Sequence, residues 1–597
     1  MKHWRLREPL PPSAHKALSV FPELLRPLLH ARGVTNESSA RLFLEPDYER
    51  DLHDPFLMQD MARAVERIKR ALATGEKIII FGDYDADGIP GAAVLSSFFD
   101  KLGYKNYEVY IPDRHEEAYG LNAEAITIFA KNGAALIITV DCGVSNHSEI
   151  ALANSLGLDV IVTDHHTVPE TLPPAYAVIN PKRLDDKYPY KMLAGAGVAF
   201  KLVQALARGF VSPRSSDLLA SGSASSALAR TVLKDAPRTV LASGWEKWLL
   251  DLVAIATVAD MVPLTGENRA LVHFGLIVLR KSPRSGLVSL CRVLGLDQSQ
   301  ITADDIAFLI GPRLNAASRM AHGSQAYRLL TTSDPVEAMT LARELEGNNK
   351  ARRASVGGVL AAAEALVGEN ASEKNVLVCG NPDWSLGVLG LAASRLAERY
   401  DRPVFLWAKN GHGEIKGSCR GNGSTNVVSL MRLVGGENFF INFGGHVNAG
   451  GFSLTADRLP ELSERLALAQ EKFGREEIID ELILDAELPL DLANYDTACL
   501  LDRLGPFGLE NSKPTFLFRN IPSVTARSFG AERTHLELTL TDGHVSRRAI
   551  GFFMSPAHFG SVLKSGQPID LAATLEQSYY RGRSELRLRI VDCRQAE

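Results

Sequence analysis

The sequence predicts an α/β chain: a domain built on a parallel sheet, a long helix joining it to a second α/β domain, and a small β-barrel at the carboxyl end. Three observations predict this. From Lys77 to Pro181, short continuous apolar runs (Lys77–Phe81, Tyr107–Ile111, Ala135–Val140, Asp159–Val162, Ala177–Ile179) alternate with helix-like stretches such as Gly91–Leu102 and Asn122–Lys131. Strands that lack polar alternation are those covered on both faces, as in parallel sheets, where ligands bind at the carboxyl ends of the strands. Asp334–Glu369 is rich in Ala, Leu, Glu and Arg. That composition predicts one long helix or two, with Gly347, Gly357 and Gly358 as weak points. From about residue 478, Phe516–Phe518, His535–Leu540, Arg547–Phe553, Ile569–Glu576 and Glu585–Val591 alternate apolar and polar residues between turn signals. That pattern fits a small antiparallel barrel or sandwich.

The 597 residues are enough for three to five domains. The expected division is residues 1–330 for the N-terminal region and first domain, 331–370 for the connecting helix, 371–476 for the second domain and 477–597 for the barrel. An insertion is expected at about 209–247, where Ser212–Ser226 is rich in Ser, Ala and Leu. A core-like pattern returns at Trp248–Val262. The second domain opens with a strand at Asn375–Gly380, continues with another at Arg402–Trp407, and ends near Phe473.

Composition excludes several classes. Hydrophobic residues make up 46% and charged residues 23%, ordinary for a globular chain. A net charge of −5 argues against a uniform basic coat for nucleic acid but leaves room for a local basic channel. Six scattered cysteines form no C-x-x-C pair. A disulfide framework and a thiolate zinc site are therefore not expected, and free thiols fit a reducing cytoplasm. The start, Met1-Lys2-His3-Trp4-Arg5, has no signal-peptide core, and no apolar run reaches the roughly 18 residues of a membrane span.

The strand at Lys77–Phe81 runs into Gly82-Asp83-Tyr84-Asp85-Ala86-Asp87-Gly88. Three carboxylates in five residues repel one another, and one would be driven towards protonation unless a cation is present. The spacing lacks the terminal Glu of an EF-hand loop. A polar turn that caps the next helix is the bland reading. Asp141, in Val140-Asp141-Cys142-Gly143, and His165, in Asp164-His165-His166, each follow a strand, and Asp260 ends the apolar stretch Ala256–Ala259. Taken singly, Asp141 reads as an N-cap, His165 as a buried histidine with its bonds satisfied and Asp260 as a turn residue. Taken together, they deliver at least five O and N ligands to one edge of one sheet. Carboxylates with one imidazole suit Mn²⁺ or Mg²⁺. Two such ions about 3.5–4 Å apart can clamp a phosphoryl group and activate a water.

These four segments, in this order, resemble the motifs of the DHH phosphoesterase superfamily and, within it, the RecJ family of bacterial single-strand exonucleases. The resemblance extends to Pro112-Asp113-Arg114 with Tyr119-Gly120-Leu121, Val178–Arg183, Gly311–Met320, Lys416-Gly417-Ser418-Cys419-Arg420, Phe443-Gly444-Gly445-His446 and Gly505-Pro506-Phe507-Gly508. It covers nearly the whole chain outside 209–247. It implies a DHH domain, a DHHA1 domain and an OB-fold. It also implies two ions, Mn²⁺ or Mg²⁺, one held by Asp85 and Asp141 and one by Asp87, Asp141, His165 and Asp260, with Asp83 at or behind the first. Asp164 would orient an imidazole, and His166 would assist proton transfer beside the attacking water or leaving oxygen. Gly444, Gly445 and His446, with Asn448, would close over the nucleic acid.

A 5′-end exonuclease has to grip a terminal phosphate, which the arginine fork does well. Arg114, Arg319, Arg420 and Ser418 match the residues that do so in the RecJ family; ordinary ion pairs are the alternative, for Arg114 above all. In the tail, Tyr579, Tyr580, Arg581 and Arg583 at a predicted hairpin could stack and hold a single strand, or form an ordinary exposed turn. One departure stands out. The family usually has Trp-His before the glycine turn of the second lobe, and this chain has Trp384-Ser385-Leu386-Gly387.

The expected function is single-strand-specific 5′→3′ DNA exonuclease activity releasing 5′-mononucleotides, in recombination and repair. The substrate partner is single-stranded DNA. A single-strand-binding protein and a RecQ-type helicase are family expectations, as is a cytoplasmic, nucleoid-associated location. A phosphodiesterase for oligoribonucleotides or cyclic dinucleotides is disfavoured by the extra tail domain. A non-catalytic scaffold is disfavoured because every ligand position is occupied.

Overall fold

The run Lys77–Gly82 becomes the second strand of a five-stranded, all-parallel sheet ordered Tyr107–Tyr110, Lys77–Gly82, Ala134–Val140, Asp159–Thr163, Ala177–Ile179. The computed structural model describes residues 3–117, 119–210, 240–368, 374–410, 413–435, 438–473, 481–530, 533–543, 545–560, 562–563, 567–580 and 583–596. The expected insertion therefore lies largely outside the described residues, as does Arg581, and nothing is described of the side chains of Tyr579, Tyr580 and Arg583. The unbroken apolar strands have a direct cause. Ile78 and Ile80 point into one core, and Ile79 and Phe81 into another on the opposite face. The strand order reverses direction between Lys77–Gly82 and Ala134–Val140, and open α/β sheets bind ligands at such a reversal, outside the carboxyl ends.

Three of the four motif segments leave carboxyl ends of this sheet, at Gly82, Val140 and Thr163. The fourth does not. Asp260 was expected at the same sheet edge as a strand end, but it is the C-cap of the helix Leu250–Ala259. The run before it is apolar all round because that helix is wrapped on every side. It packs on helices Gly88–Leu102, Gly195–Ala207 and Gly266–Leu279. An apolar run of that kind cannot be told from a buried strand by periodicity. Its buried stretch begins at Leu249, whereas Trp248 is exposed.

The long helix is one element, Pro335–Val367, capped by Asp334, whose side chain accepts from the Val336 N–H. Gly347, Gly357 and Gly358 do not break it. Each faces open space, so each costs only about 1 kcal/mol in helix propensity. Buried Leu341, Leu345, Val356 and Val359 tie its two halves to the two lobes. The second lobe is a five-stranded sheet ordered Asn442–His446, Ala449–Leu454, Ile415–Arg420, Val404–Lys409, Leu377–Gly380, antiparallel except for the last pair.

The tail is a curled seven-stranded sheet with Ile569–Tyr580 and Arg583–Gln595 as its long hairpin. It is not wholly antiparallel: Val545–Gly551 runs parallel to Arg583–Gln595. The strand Ser523–Phe529, unforeseen in the sequence, forms one edge and is mostly exposed, so it lacks the alternation that marks a half-buried strand. The first forty residues pack here, not on the sheet they precede. His3–Leu6 pairs in parallel with Glu481–Leu484, and Leu18, Leu25, Leu28 and Leu29 share a core with Phe516, Leu536 and Leu588. Arg269 locks this unit to the first lobe, donating to the carbonyls of Phe43 (2.7 Å) and Gly505 (2.6 Å). No helix among the described residues is long and apolar enough to cross a membrane.

Candidate metal centre

Asp83, buried, stands directly after the strand Lys77–Gly82, and its N–H donates to the Val140 carbonyl of the neighbouring strand (3.1 Å), so the loop continues the sheet ladder. Asp85 turns the chain into the next helix. Its Oδ1 accepts from the N–H of Asp87 (2.8 Å) and Gly88 (3.1 Å), and the Ala86 N–H donates to Asn315 Oδ1 (3.0 Å). Asp87 is 1% exposed, and both its oxygens are held by the first two N–H groups of the helix Gly195–Ala207: Gly195 to Oδ2 and Ala196 to Oδ1, each at 2.6 Å. A helix start carries free N–H groups and positive potential, which suits a carboxylate. Asp141 sits in the left-handed backbone region (φ 62°), which aspartate tolerates better than most residues. Its position depends on Gly195, because a Cβ there would stand 2.5 Å from Asp141 Cβ.

The ligand atoms converge. One set is Asp83, Asp85 and Asp141, a second is Asp87, His165 and Asp260, and a third is Asp141, His165 and His166, each within 4.8 Å internally. His165 Nε2 lies 3.1 Å from Asp141 Oδ1, 3.6 Å from Asp260 Oδ2 and 3.8 Å from Asp87 Oδ2. Asp164 is different in kind. Its Oδ1 accepts from the N–H of His165 (2.7 Å) and His166 (3.0 Å) and lies 2.8 Å from His166 Nδ1, while Oδ2 accepts from the Val144 N–H (3.0 Å). It is fully used in holding the histidines.

Electrostatics separates the two groups. Burial, and then Asp85, push Asp87 up to about 7; burial, and then Asp87 and Asp85, push Asp260 up to about 9. Asp83 and Asp141 are raised for the same reasons, burial first and neighbouring carboxylates second. Burial and the nearby His166 lower His165 to about 3, so it is a neutral imidazole with a free lone pair. Burial is the largest single influence on Asp164 and His166, but their mutual hydrogen bond and opposite charges, with backbone N–H donors to Asp164 and the carboxylates near His166, together outweigh it, lowering the acid and raising the base. Asp83 Oδ1 and Asp141 Oδ1 are buried without a hydrogen-bond partner. Orphaned buried carboxylate oxygens are costly. Together with the hard O/N donor set they fit Mn²⁺ or Mg²⁺.

A pH dependence follows. Without metal, the folded protein holds protons on Asp87 and Asp260 that the unfolded chain loses near pH 4. Between about pH 4 and 9 the folded state thus binds more protons, and stability falls as pH rises. The metal-free melting temperature should decline from pH 5 to 9, and saturating Mn²⁺ should flatten that decline. A metal-free melting temperature that climbs over this range would contradict the assignment.

The arginines assemble beside this cluster. The Arg114 guanidinium stacks 4.6 Å above the Tyr84 ring and makes no ion pair among the described residues, so the salt bridge considered for it does not form. Arg319 Nη1 donates to the Gly387 carbonyl of the second lobe (2.9 Å). At Gly390, on the same face of the helix Leu386–Tyr400, a Cβ would meet Arg420 Nη2 at 2.7 Å and Ser418 Oγ at 3.0 Å. Two bare glycines therefore let Arg319, Arg420 and Ser418 crowd one helix start. Ser385 caps that helix without a side-chain hydrogen bond. Gly444, Gly445 and His446 are not brought into the acidic cluster. They form an exposed edge strand, linked through its partner Ala449–Leu454 to the strand that carries Ser418 and Arg420.

Sequence reasoning gave no role to three supports: Tyr119, whose hydroxyl donates to the Asp141 carbonyl (2.7 Å) and lies 3.1 Å from His166 Nδ1; Asn315; and the Gly195–Ala196 amides. The small-residue run Ala194-Gly195-Ala196-Gly197 before an apolar helix was the available signal for the last of these.

Comparison with known proteins agrees with this geometry. Residues 77–223 match the DHH family, N-terminal domain; residues 373–472 match the DHHA1 domain; and residues 484–592 match the RecJ OB domain. The chain is 34% identical over 576 residues to the single-stranded-DNA-specific exonuclease RecJ of Bacillus subtilis, covering 96% of this chain and 68% of that protein. It is 36% identical to RecJ of Dickeya dadantii, covering 83% of each. Thermus thermophilus RecJ in complex with Mn²⁺ superimposes with a TM-score of 0.77 at 30% identity, over 100% of this chain and 80% of that one. The same protein in complex with Mg²⁺ superimposes at 0.72 and 28% identity. The chain belongs to the RecJ family of single-stranded-DNA-specific exonucleases.

Proposed function

We propose that this protein is a metal-dependent single-strand DNA exonuclease that releases 5′-mononucleotides in the 5′→3′ direction, in recombination and repair. The observation that carries the reading is the meeting of a buried carboxylate–imidazole cluster and an arginine cluster at the junction of two lobes. Asp85 and Asp141 would hold one divalent ion, with Asp83 beside it, and Asp87, Asp141, His165 and Asp260 the other. When bound, the ions, Mn²⁺ or Mg²⁺, supply Lewis acidity for activating water and neutralising phosphate charge.

The chain's own residues do the rest. Asp164 fixes the tautomer of His166 by taking its Nδ1–H, which leaves Nε2 free to exchange a proton at the scissile phosphate. Tyr119 supports the same ring. Arg114, Arg319, Arg420 and Ser418 would bind the terminal phosphate and so set the cleavage register at one nucleotide, while Gly444, Gly445 and His446 would cover the strand.

The domain division at 330, 370 and 476, a single-strand-binding protein and a RecQ-type helicase as partners, and a cytoplasmic, nucleoid-associated location belong to the same reading; the family resemblance supports them. Digestion of single strands labelled at either end, with Mn²⁺, tests the reading. A 5′ label should appear at once as mononucleotide, and a 3′ label should stay on a shortening ladder. The reverse pattern would sink it.

A further inference from the structure

The arginines around the terminal-phosphate pocket have more charge than nearby carboxylates neutralise. Arg313 pairs with Glu346 (2.9 Å). Among the described residues no ion pair reaches Arg114, Arg319, Arg420 or Arg352. Arg352 lies on the connecting helix Pro335–Val367, where that helix packs on both Gly311–Met320, which carries Arg319, and Leu386–Tyr400. One edge of its guanidinium is anchored, because Nη2 donates to Oδ1 of the buried Asn349 (2.9 Å). The fork is not saturated: Arg352 Nε and Arg319 Nε are both buried without a partner. Arg319 lies within electrostatic reach of Arg352. Burial, and then Arg114 and Arg352, bring Arg319 down to about 9. Burial, and then Arg313, Arg353 and Arg395, lower Arg352. Orphaned donors on neighbouring like charges are unfavourable unless an anion is bound between them.

We propose that Arg352 is a further phosphate-binding residue, which with Arg319 holds the 5′-terminal phosphate monoester of the DNA strand. The pocket then extends from the two lobes onto the connecting helix. This rests on the 5′-end exonuclease reading. It gives the helix a part in binding besides its role as a spacer: Asn349 orients the fork of Arg352, and the fork closes the pocket from behind.

The test is binding of matched 5′-phosphorylated and 5′-hydroxyl oligodeoxynucleotides in EDTA, so that nothing is cut, with Arg352→Gln and Arg352→Lys. The Gln variant should lose about tenfold in affinity for the phosphorylated strand, the scale of one charge-assisted contact, and nothing for the hydroxyl strand. The Lys variant, which keeps the charge without the fork, should fall between and carries the test if the Gln variant does not fold. An unchanged ratio of the two affinities overturns the proposal, and so does an equal loss on both strands, which is what a purely structural arginine would give. Failure of the 5′-end reading itself would look different: the wild-type protein would then not distinguish the two strands.

Discussion

Asp141→Asn should lower Mn²⁺-dependent nuclease activity by about 10³-fold or more, because one carboxylate serves both candidate ion positions and several kcal/mol of charge stabilisation passes through it. Asn is a better probe than Ala here. The backbone at 141 is left-handed (φ 62°), and Asn adopts that region with little strain, whereas Ala does not. Tyr119 donates to the backbone carbonyl of Asp141, not to its side chain, so the local fold keeps that anchor. DNA binding in EDTA should be unaffected, because the arginines and the tail lie outside the carboxylate cluster. Burial and the surrounding carboxylates already raise Asp141, so removing its charge should not lower metal-free stability. Activity within tenfold of wild type would show that Asp141 is not shared between two ions.

Gly195→Ala should produce the second large effect without touching a ligand. An added methyl would stand 2.5 Å from Asp141 Cβ and 2.7 Å from its Oδ1. Either Asp141 moves, or the helix start retreats and loosens both 2.6 Å amide contacts to Asp87. Each outcome displaces a ligand by a distance that metal geometry does not tolerate, so the Mn²⁺ concentration for half-maximal activity should rise about 10–100-fold, the range seen when supports of ligands are removed. Gly197→Ala is the control. It makes the same propensity change two residues on, where a Cβ would meet only Leu193 at an ordinary 3.5 Å. Equal Mn²⁺ dependence in the two variants would show that the clearance at 195 does not matter.

Most of this site could be read in the sequence because strand ends are legible. An apolar run that stops at a carboxylate marks both the element and the side of the sheet, and Asp83–Asp87, Asp141 and His165 all follow that rule. Asp260 does not, since the end of a fully buried helix looks like the end of a buried strand. Its position depends on packing against three other helices, which no local pattern encodes. The supports were hidden for a related reason. Gly195, Ala196 and Asn315 act through backbone amides or across more than a hundred residues of chain, and small residues before a helix have many uses. The arginine pocket was legible only through resemblance; its convergence depends on Gly387 and Gly390, whose role appears once two lobes meet. The tail was read as a barrel from alternation, and its exposed edge strand Ser523–Phe529 lacked the alternation that would have shown it.

One buried cluster is expected to hold two cations at once. Counting bound Mn²⁺ per chain by equilibrium dialysis, in the absence of DNA, tests it most directly. The wild-type protein should bind two ions, and Asp141→Asn should lose both. A wild-type protein that saturates at a single ion, or an Asp141→Asn variant that still binds two, would contradict it.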